Sequence, residues 1–166
     1  MPLVRKKAKN SFTPPGANLM LTTLLTPNVI QVVESATDWR DAIQIACEPL
    51  LKNHRIQQSY VDAIIHSHEK IGPYYVLGPG IAMPHARPED GVNQLSLGLT
   101  VIKRGVEFGA DGNDPVKLLI VLAATDSNSH IGAIAKLAEL FDNQEDIDNI
   151  MQSENVDDIL NIIARY

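Results

Sequence analysis

The stretch VKLLIVLAA at residues 116–124 is the clearest indication of the fold of this chain. Five aliphatic residues follow one another at 118–122, which is typical of a central strand that is buried on both faces. The polar segment DSNSH at 126–130 supplies several N-cap candidates, and such residues begin helices. Apolar side chains then recur at helical spacing, at positions 131, 134, 137, 138 and 141. The stretch therefore predicts a buried strand, a loop and an amphipathic helix.

Predicted strands and helices alternate along the rest of the chain. The other strands are expected at 29–33, within the loop 72–80, at 94–103 with one buried face, and briefly after a turn at 105–109. The other helices are expected from 37 onward, where Pro49 should kink or end the helix, and at 57–70, 144–152 and 156–164. This order predicts a layered α/β domain with helices on both faces of a sheet.

The charge is unevenly distributed over the 166 residues. The formal net charge is −6, but residues 1–20 contain four basic side chains and no acid, so the remaining body carries about −10. A body this acidic argues against binding of nucleic acid through its phosphates. The polar, proline-containing residues 1–20 are predicted to be a disordered leader, and residues 21–166 a single domain.

A single cysteine, Cys47, excludes an internal disulfide and indicates a cytoplasmic protein. Cys47 falls on the apolar stripe of the first long helix, so we interpret it as a core residue. The sequence contains no run of about 18 apolar residues that could cross a membrane. The basic leader also lacks the apolar segment of a secretory signal.

His85 is the candidate catalytic residue. It lies in the turn-rich segment PHARPEDG at 84–91, where Pro84 restricts the neighbouring backbone. A neutral imidazole is a competent nucleophile toward phosphorus, provided that the site stabilises the phosphoryl oxygens with N–H donors or cations. Glycines at 78, 80 and 91 are expected to allow close approach of a ligand or partner.

His130 offers a second imidazole, at the start of the helix that follows the most buried strand. Free backbone N–H groups and a partial positive charge at that helix terminus suit an anion. Loops at the carboxyl ends of such strands form the usual site of open α/β folds, so His85 and His130 are predicted to lie together. Each alone could equally be a surface residue, and their spacing does not match a metal site.

The segment GIAMPHARPEDGV at 80–92 resembles the active-site signature of the IIA components of the bacterial phosphoenolpyruvate-dependent sugar phosphotransferase system, mannitol/fructose class. Matching segments follow the same order at 72–80 (GPYYVLGPG), 113–120 (NDPVKLLI) and 129–134 (SHIGAI). The resemblance covers about residues 21–166. It implies a three-layer α/β sandwich, in which helices flank both faces of a mixed β-sheet.

The resemblance also implies a role for the histidines. The phosphoacceptor of the family maps onto His85 and its second active-site histidine onto His130. By analogy, the phosphocarrier protein HPr would phosphorylate His85, and His85 would then donate to a cysteine of a IIB component. A IIC membrane component would move the sugar. No metal, nucleotide or other cofactor is implied for this step.

One departure from the pattern concerns the charge near His85. Mannitol and fructose members carry an arginine on the preceding helix, and His68 is expected to occupy that position here and to face the site. Arg87, two residues after His85, is expected to supply compensating positive charge. An acid that mannitol members carry shortly before the motif is replaced by Pro79.

These departures point to a branch of the family, since the segments at 72–80 and 80–92 are similar to those of the ascorbate-type and cryptic-mannitol-type IIA components. Mannitol and ascorbate are therefore the candidate sugars. Two other functions stay open at this point. One is a regulator that binds partners according to its phosphorylation state. The other is a metal-dependent hydrolase that would use His85, His130 and nearby acids such as Asp126.

Overall fold

The computed structural model describes residues 19–166. The helices of this part are α1 Leu21–Leu24, α2 Trp39–Lys52, α3 Gln58–Ile71, α4 Ile131–Phe141, α5 Gln144–Met151 and α6 Val156–Ile163. Its strands are β1 Ile30–Val33, β2 Val76–Gly78, β3 Ile81–Ala82, β4 Ser96–Val106 and β5 Val116–Ala123. The leader predicted at 1–20 falls almost entirely on residues 1–18, which lie outside the described residues.

The strands form one mixed five-stranded sheet in the order β1-β4-β5-β3-β2. The pairs β1–β4 and β3–β5 are parallel, whereas β4–β5 and β2–β3 are antiparallel. Gln31 and Thr100 face α2, because Gln31 Nε2 donates to Thr100 Oγ1 (3.0 Å) and to the Ile45 carbonyl of α2 (2.8 Å). Alternate residues of β4 point to the opposite face, which the C-terminal helices cover. The predicted α/β sandwich with a mixed sheet and helices on both faces is confirmed.

Strand β5 is buried along its length as predicted, but the prediction for β4 is wrong in two respects. Every residue from 96 to 102 is buried, so β4 has two buried faces instead of one. The small residues on one face of β4 predict an exposed face, but in the structure they allow α2 to approach closely. An added Cβ at Gly98 would lie 3.3 Å from Leu50 of α2. Gly105 also belongs to β4, which runs to Val106, and the brief strand expected after it is absent from residues 19–166.

Pro49 does not end α2 at its position, since the helix continues to Lys52. A proline has no N–H, so the Ile45 carbonyl four residues earlier loses its helical donor. Gln31 Nε2 replaces that donor from β1. Tertiary structure therefore compensates for the proline, which sequence alone could not show.

The segment that carries His85 continues β3 along the carboxyl end of β5. Ile81 and Ala82 pair with Leu118 and Leu119 in parallel register. The Leu122 N–H then donates to the Pro84 carbonyl at 3.0 Å. Residue 85 therefore leaves the sheet at the same edge at which β5 ends.

Two glycines near this segment serve internal packing, which corrects the expectation that they admit a ligand or partner. Gly91 has a φ of 136°, and a Cβ there would lie 2.5 Å from Ser59 Oγ on α3. Gly80 has a φ of 78°, and a Cβ there would lie 3.0 Å from the end of the Met151 side chain. The protein itself therefore fills the space beside both glycines.

Cys47 is fully buried in the aliphatic core, as predicted. Burial, with a smaller contribution from Glu48, raises the pKa of its thiol to about 12. The thiol is therefore protonated and unreactive at neutral pH. Among residues 19–166, no helix has the length and apolar character needed to span a membrane.

Candidate functional site

The His85 ring is half-buried and is oriented by its own backbone neighbour. Its Nδ1 lies 2.8 Å from the Met83 carbonyl oxygen. A carbonyl oxygen only accepts, so Nδ1 must carry the proton and donate it. In the neutral ring this leaves the lone pair on Nε2. The geometry thus prepares Nε2 of His85 as the nucleophilic atom.

The peptide bond between His85 and Ala86 is held at both of its polar atoms. The Tyr74 hydroxyl donates to the His85 carbonyl oxygen. The Ala86 N–H donates to the Tyr60 hydroxyl oxygen at 2.9 Å, and the Tyr60 hydroxyl in turn donates to the Leu122 carbonyl at 2.6 Å. The Tyr74 ring also meets the His85 ring edge-on, with centroids 5.4 Å apart.

His130 and His85 line the same pocket of about 130 Å³, here named the His130 pocket, together with Tyr60, Leu122 and Asp126. The two histidines meet because β3 and β5 are adjacent parallel strands whose carboxyl ends share one edge of the sheet. The predicted juxtaposition of these side chains is therefore what the structure shows. His130 is the N-cap residue of α4, although its side chain does not cap the helix.

His130 Nδ1 is buried without a hydrogen-bond partner in the described part of the chain. A buried polar nitrogen of this kind costs free energy unless something outside the free protein satisfies it. It lies at the N-terminus of an eleven-residue helix, whose dipole favours negative charge. This combination suits an anionic group that enters the His130 pocket.

Asp126 also lines the His130 pocket, but its carboxylate is engaged by the backbone. The N–H groups of Asn128 and Ser129 donate to its Oδ1 at 2.8 and 2.6 Å. These backbone hydrogen bonds, with a smaller contribution from the charge of His130, hold the pKa of Asp126 below its ordinary value. Asp126 therefore stays ionised and shapes the loop that leads into α4.

A second pocket, of about 390 Å³, is also lined by His85 and is named here the Arg87 pocket. Its lining includes His66, Ser67, Tyr74 and Arg87. The Arg87 side chain is 75% exposed and lies 3.6 Å from Asp90 and 3.9 Å from Glu89. The sequence-predicted cation is thus beside His85, although two carboxylates share its charge.

The inward position predicted for His68 is correct, but its ring lines neither pocket. It stacks on Trp39 with ring centroids 3.7 Å apart, and its Nδ1 lies 2.6 Å from the Tyr75 hydroxyl. Helical residues are about 100° apart around the axis, so Ser67 faces the Arg87 pocket while His68 turns into the core. This corrects the expectation that His68 faces His85.

Burial lowers the pKa of His68 below its ordinary value, although a backbone hydrogen bond to Phe108 opposes the shift. The ring is therefore neutral at pH 7 and supplies no positive charge to the site. It acts on His85 at most through the backbone. Tyr75, which binds its ring, accepts the Met83 N–H at its carbonyl (2.9 Å), and the Met83 carbonyl accepts His85 Nδ1–H.

The sequence interpretation missed the contribution of Tyr60 and treated Tyr74 only as part of a matching segment. Tyr60 lies on the apolar stripe of α3, where its periodicity indicates no more than core packing. The available signal was chemical, because a buried tyrosine hydroxyl needs a hydrogen-bond partner. A phenol on a buried stripe therefore predicts a polar contact, but it does not say with which residue.

Exposed apolar side chains surround the two pockets. Ile131 and Ile134 on α4 are 45% and 36% exposed beside His130, and Ile71 next to the Arg87 pocket is 69% exposed. Ile81, by contrast, is buried in β3 and belongs to the core. Within residues 19–166, no group of three or more metal-ligating side chains is arranged to hold a metal ion.

The chain is similar to proteins of known families over nearly all of its described length. Residues 23–166 match the family model for the phosphoenolpyruvate-dependent sugar phosphotransferase system, EIIA 2. A mannitol-specific cryptic phosphotransferase enzyme IIA component from Escherichia coli is 41% identical over 148 residues, which cover 89% of this chain and 99% of that protein. An ascorbate-specific EIIA component from the same species is 36% identical over 138 residues, or 82% of this chain and 89% of that protein.

A solved structure gives the same fold. In the complex of enzyme IIAMTL and phosphorylated enzyme IIBMTL from Escherichia coli, the matching chain has a TM-score of 0.73 and 29% identity. The match covers 86% of this chain and all of that one. The family match spans far more than half of the sequence. The chain therefore belongs to the family of EIIA type 2 components of the phosphoenolpyruvate-dependent sugar phosphotransferase system.

Proposed function

We propose that this protein carries a phosphoryl group on Nε2 of His85, which it accepts from phospho-HPr and donates to a cysteine of a IIB component. The observation that carries the proposal is the Nδ1–H hydrogen bond of His85 to the Met83 carbonyl, which leaves the lone pair on Nε2 beside a pocket. Family membership makes the chain a phosphotransferase component, and His85 is the nucleophile that the geometry supports best.

Atoms and electrons balance in both phosphoryl-transfer steps without a cofactor. The Nε2 lone pair attacks phosphorus, the N–P bond of the donor histidine breaks, and its electron pair stays on the donor ring. His85 keeps its Nδ1 proton, and the Met83 carbonyl stabilises the positive charge that develops on the ring. In the second step a cysteine thiolate attacks phosphorus, and the Nε2–P bond returns its electron pair to His85.

His130 and the N-terminus of α4 are proposed to stabilise the phosphoryl oxygens during both steps. Within residues 19–166, His130 Nδ1 is buried and has no hydrogen-bond partner, so a phosphoryl oxygen or a residue of the docked partner can satisfy it. The helix dipole adds fixed positive potential at the same place. Such preorganised donors act without reorganisation at the moment of transfer.

The partners follow from the same proposal. A IIB component is supported by the related IIAMTL, which was solved in complex with phosphorylated IIBMTL. HPr as donor, a IIC permease downstream of IIB and a cytoplasmic location are further parts of the proposal. The relatives named for cryptic mannitol and ascorbate systems support mannitol, ascorbate or a similar carbohydrate as the transported sugar.

The test is a phosphorylation assay with labelled phosphoenolpyruvate, enzyme I and HPr. The wild-type chain should be labelled, and the label should be acid-labile and alkali-stable, as expected for phosphohistidine. His85→Ala should abolish labelling, and addition of a mannitol-type or ascorbate-type IIB component should discharge the wild-type label.

His54→Asn is the matched control, because His54 is exposed and has a φ of 58°, a conformation that asparagine tolerates. This variant should be labelled at the wild-type rate. Persistent labelling of His85→Ala would show that another residue is the acceptor.

A further inference from the structure

The His85–Ala86 peptide lies in the middle of a hydrogen-bond chain that begins and ends on the protein framework. Its carbonyl accepts from the Tyr74 hydroxyl. Its N–H donates to Tyr60, whose hydroxyl hydrogen goes to the Leu122 carbonyl of β5. The Ser67 side chain lines the Arg87 pocket together with Tyr74.

Helix α3 contributes directly to one end of this peptide and borders the residue that holds the other end. Tyr60 of α3 binds the peptide N–H directly. Ser67 lies seven residues later, two turns along the same face of α3, and it lines the Arg87 pocket together with Tyr74, which binds the peptide carbonyl. Tyr60 lines the His130 pocket, so the two phenols border different pockets next to His85.

The His85–Ala86 peptide plane contains the Cα that carries the His85 ring, so the bonds that hold the plane also fix the point from which the ring reaches the Met83 carbonyl. A displacement of the plane would shift that Cα relative to Met83 and alter the contact. Burial raises the pKa of both Tyr60 and Tyr74, so both hydroxyls stay neutral and keep their protons for these bonds.

We propose that Tyr60 and Tyr74, with Ser67 behind Tyr74, are positioning residues that hold the His85–Ala86 peptide and thereby keep the His85 ring in the Nδ1–H tautomer with Nε2 directed outward. The consequence for phosphoryl transfer rests on the function proposed above. The consequence for the tautomer does not, because it concerns the free protein.

The experiment compares Tyr60→Phe, Tyr74→Phe and Ser67→Ala with wild type. The tautomer of His85 is read from the ring ¹⁵N chemical shifts of the unphosphorylated chain at about pH 8.5, well above the ordinary histidine pKa. Wild type should show the Nδ1–H form. The two phenylalanine variants should show a mixture of tautomers, and kcat for transfer from phospho-HPr should fall about fivefold for each lost hydrogen bond with KM unchanged. Ser67→Ala should give a smaller effect in the same direction.

Tyr166→Phe is the matched control, because its hydroxyl binds Asp146 in the C-terminal part of the fold. It should leave both the tautomer and kcat at wild-type values. Thermal melting of every variant identifies a loss of fold, and Tyr74→Phe keeps the test decisive if Tyr60→Phe does not fold, since Tyr74 is only half-buried.

Two results would overturn the proposal. One is a wild-type tautomer in every phenylalanine variant that folds, whatever happens to the rates. The other is a fall in kcat for the control as large as that for Tyr74→Phe. A third result separates the two proposals. If wild type shows the Nδ1–H form and the phenylalanine variants show mixtures, but the wild-type chain is not phosphorylated at all, the proposed function is contradicted and the positioning role is supported.

Discussion

His85 and His68 are two histidines of the same domain that the fold treats differently. Within residues 19–166, the Met83 carbonyl engages Nδ1 of His85, whereas Nδ1 of His68 lies 2.6 Å from the buried Tyr75 hydroxyl. The His85 ring borders two pockets, and the His68 ring is stacked on Trp39 in the core. The histidine that we propose as the nucleophile is thus the one whose ring borders pockets, while the core encloses the other ring.

The periodicity of α3 predicts that His68 points inward, but it does not predict which part of the interior the ring meets. The inward face of α3 borders both the core and the pockets. Ser67 and His66 border the Arg87 pocket, while His68 completes an aromatic cluster. A rotation of one residue along the helix separates the two roles.

The largest effect is expected when His85 itself is replaced, with the same replacement at His68 as the comparison. His85→Gln should abolish phosphorylation, because glutamine offers no comparable nucleophile, whereas His68→Gln should still be labelled. The measurement is the amount of label per chain after complete reaction with phospho-HPr. Labelling of His85→Gln, or its loss in a folded His68→Gln, would reverse the roles assigned to the two rings.

The next effect concerns the partner histidine in the His130 pocket. His130→Ala should keep the label but slow its formation about 100-fold, the typical cost of removing one preorganised donor to a developing negative charge. The rate is measured by rapid quenching at several HPr concentrations. Wild-type kinetics in this variant would remove His130 from the site.

A smaller effect of the His68 ring is expected on the free energy of unfolding and on its pH dependence. His68→Ala should lower the free energy of unfolding by about 1–3 kcal/mol, because it leaves the buried Tyr75 hydroxyl unsatisfied. Burial lowers the folded-state pKa of His68 below its ordinary 6.5, so the unfolded chain binds this proton more readily. Stability should therefore be complete above pH 6.5, fall as the pH drops below it, and level off below the folded-state pKa.

Denaturant unfolding at several pH values measures this dependence. The slope below pH 6.5 should be shallower in His68→Ala than in wild type, and His54→Asn serves as the control with an exposed ring. An identical slope in wild type and His68→Ala would show that His68 is not the group responsible.

The smallest effect is expected for Arg87. Arg87→Ala should slow transfer about twofold at low salt and less at high salt, because the guanidinium is 75% exposed and two carboxylates share its charge. Arg104→Ala is the matched control, since Arg104 is equally exposed and pairs with Glu34 at 3.3 Å. Equal rates for the two variants would show that Arg87 gives no support to His85.

The sequence alone determined the strand at 116–123 and the helix that follows it, because a run of aliphatic residues and a helical repeat are local patterns. It predicted that His85 and His130 lie together only from the general rule for the ends of strands in α/β folds, and the parallel pairing of β3 with β5 that brings them to one edge is a tertiary feature. The motif around His85 added the family, because several segments matched in one order.

Only the tertiary structure decided how His85 is held and which neighbours reach it. Tyr60 and Tyr74 meet one peptide bond from distant parts of the chain, Gln31 rescues the helix at Pro49, and His68 turns into the core. Each of these depends on the direction of a side chain relative to a neighbour far away in sequence. Hydrophobic periodicity specifies which face of an element is buried, but it does not specify which atom on that face meets which partner.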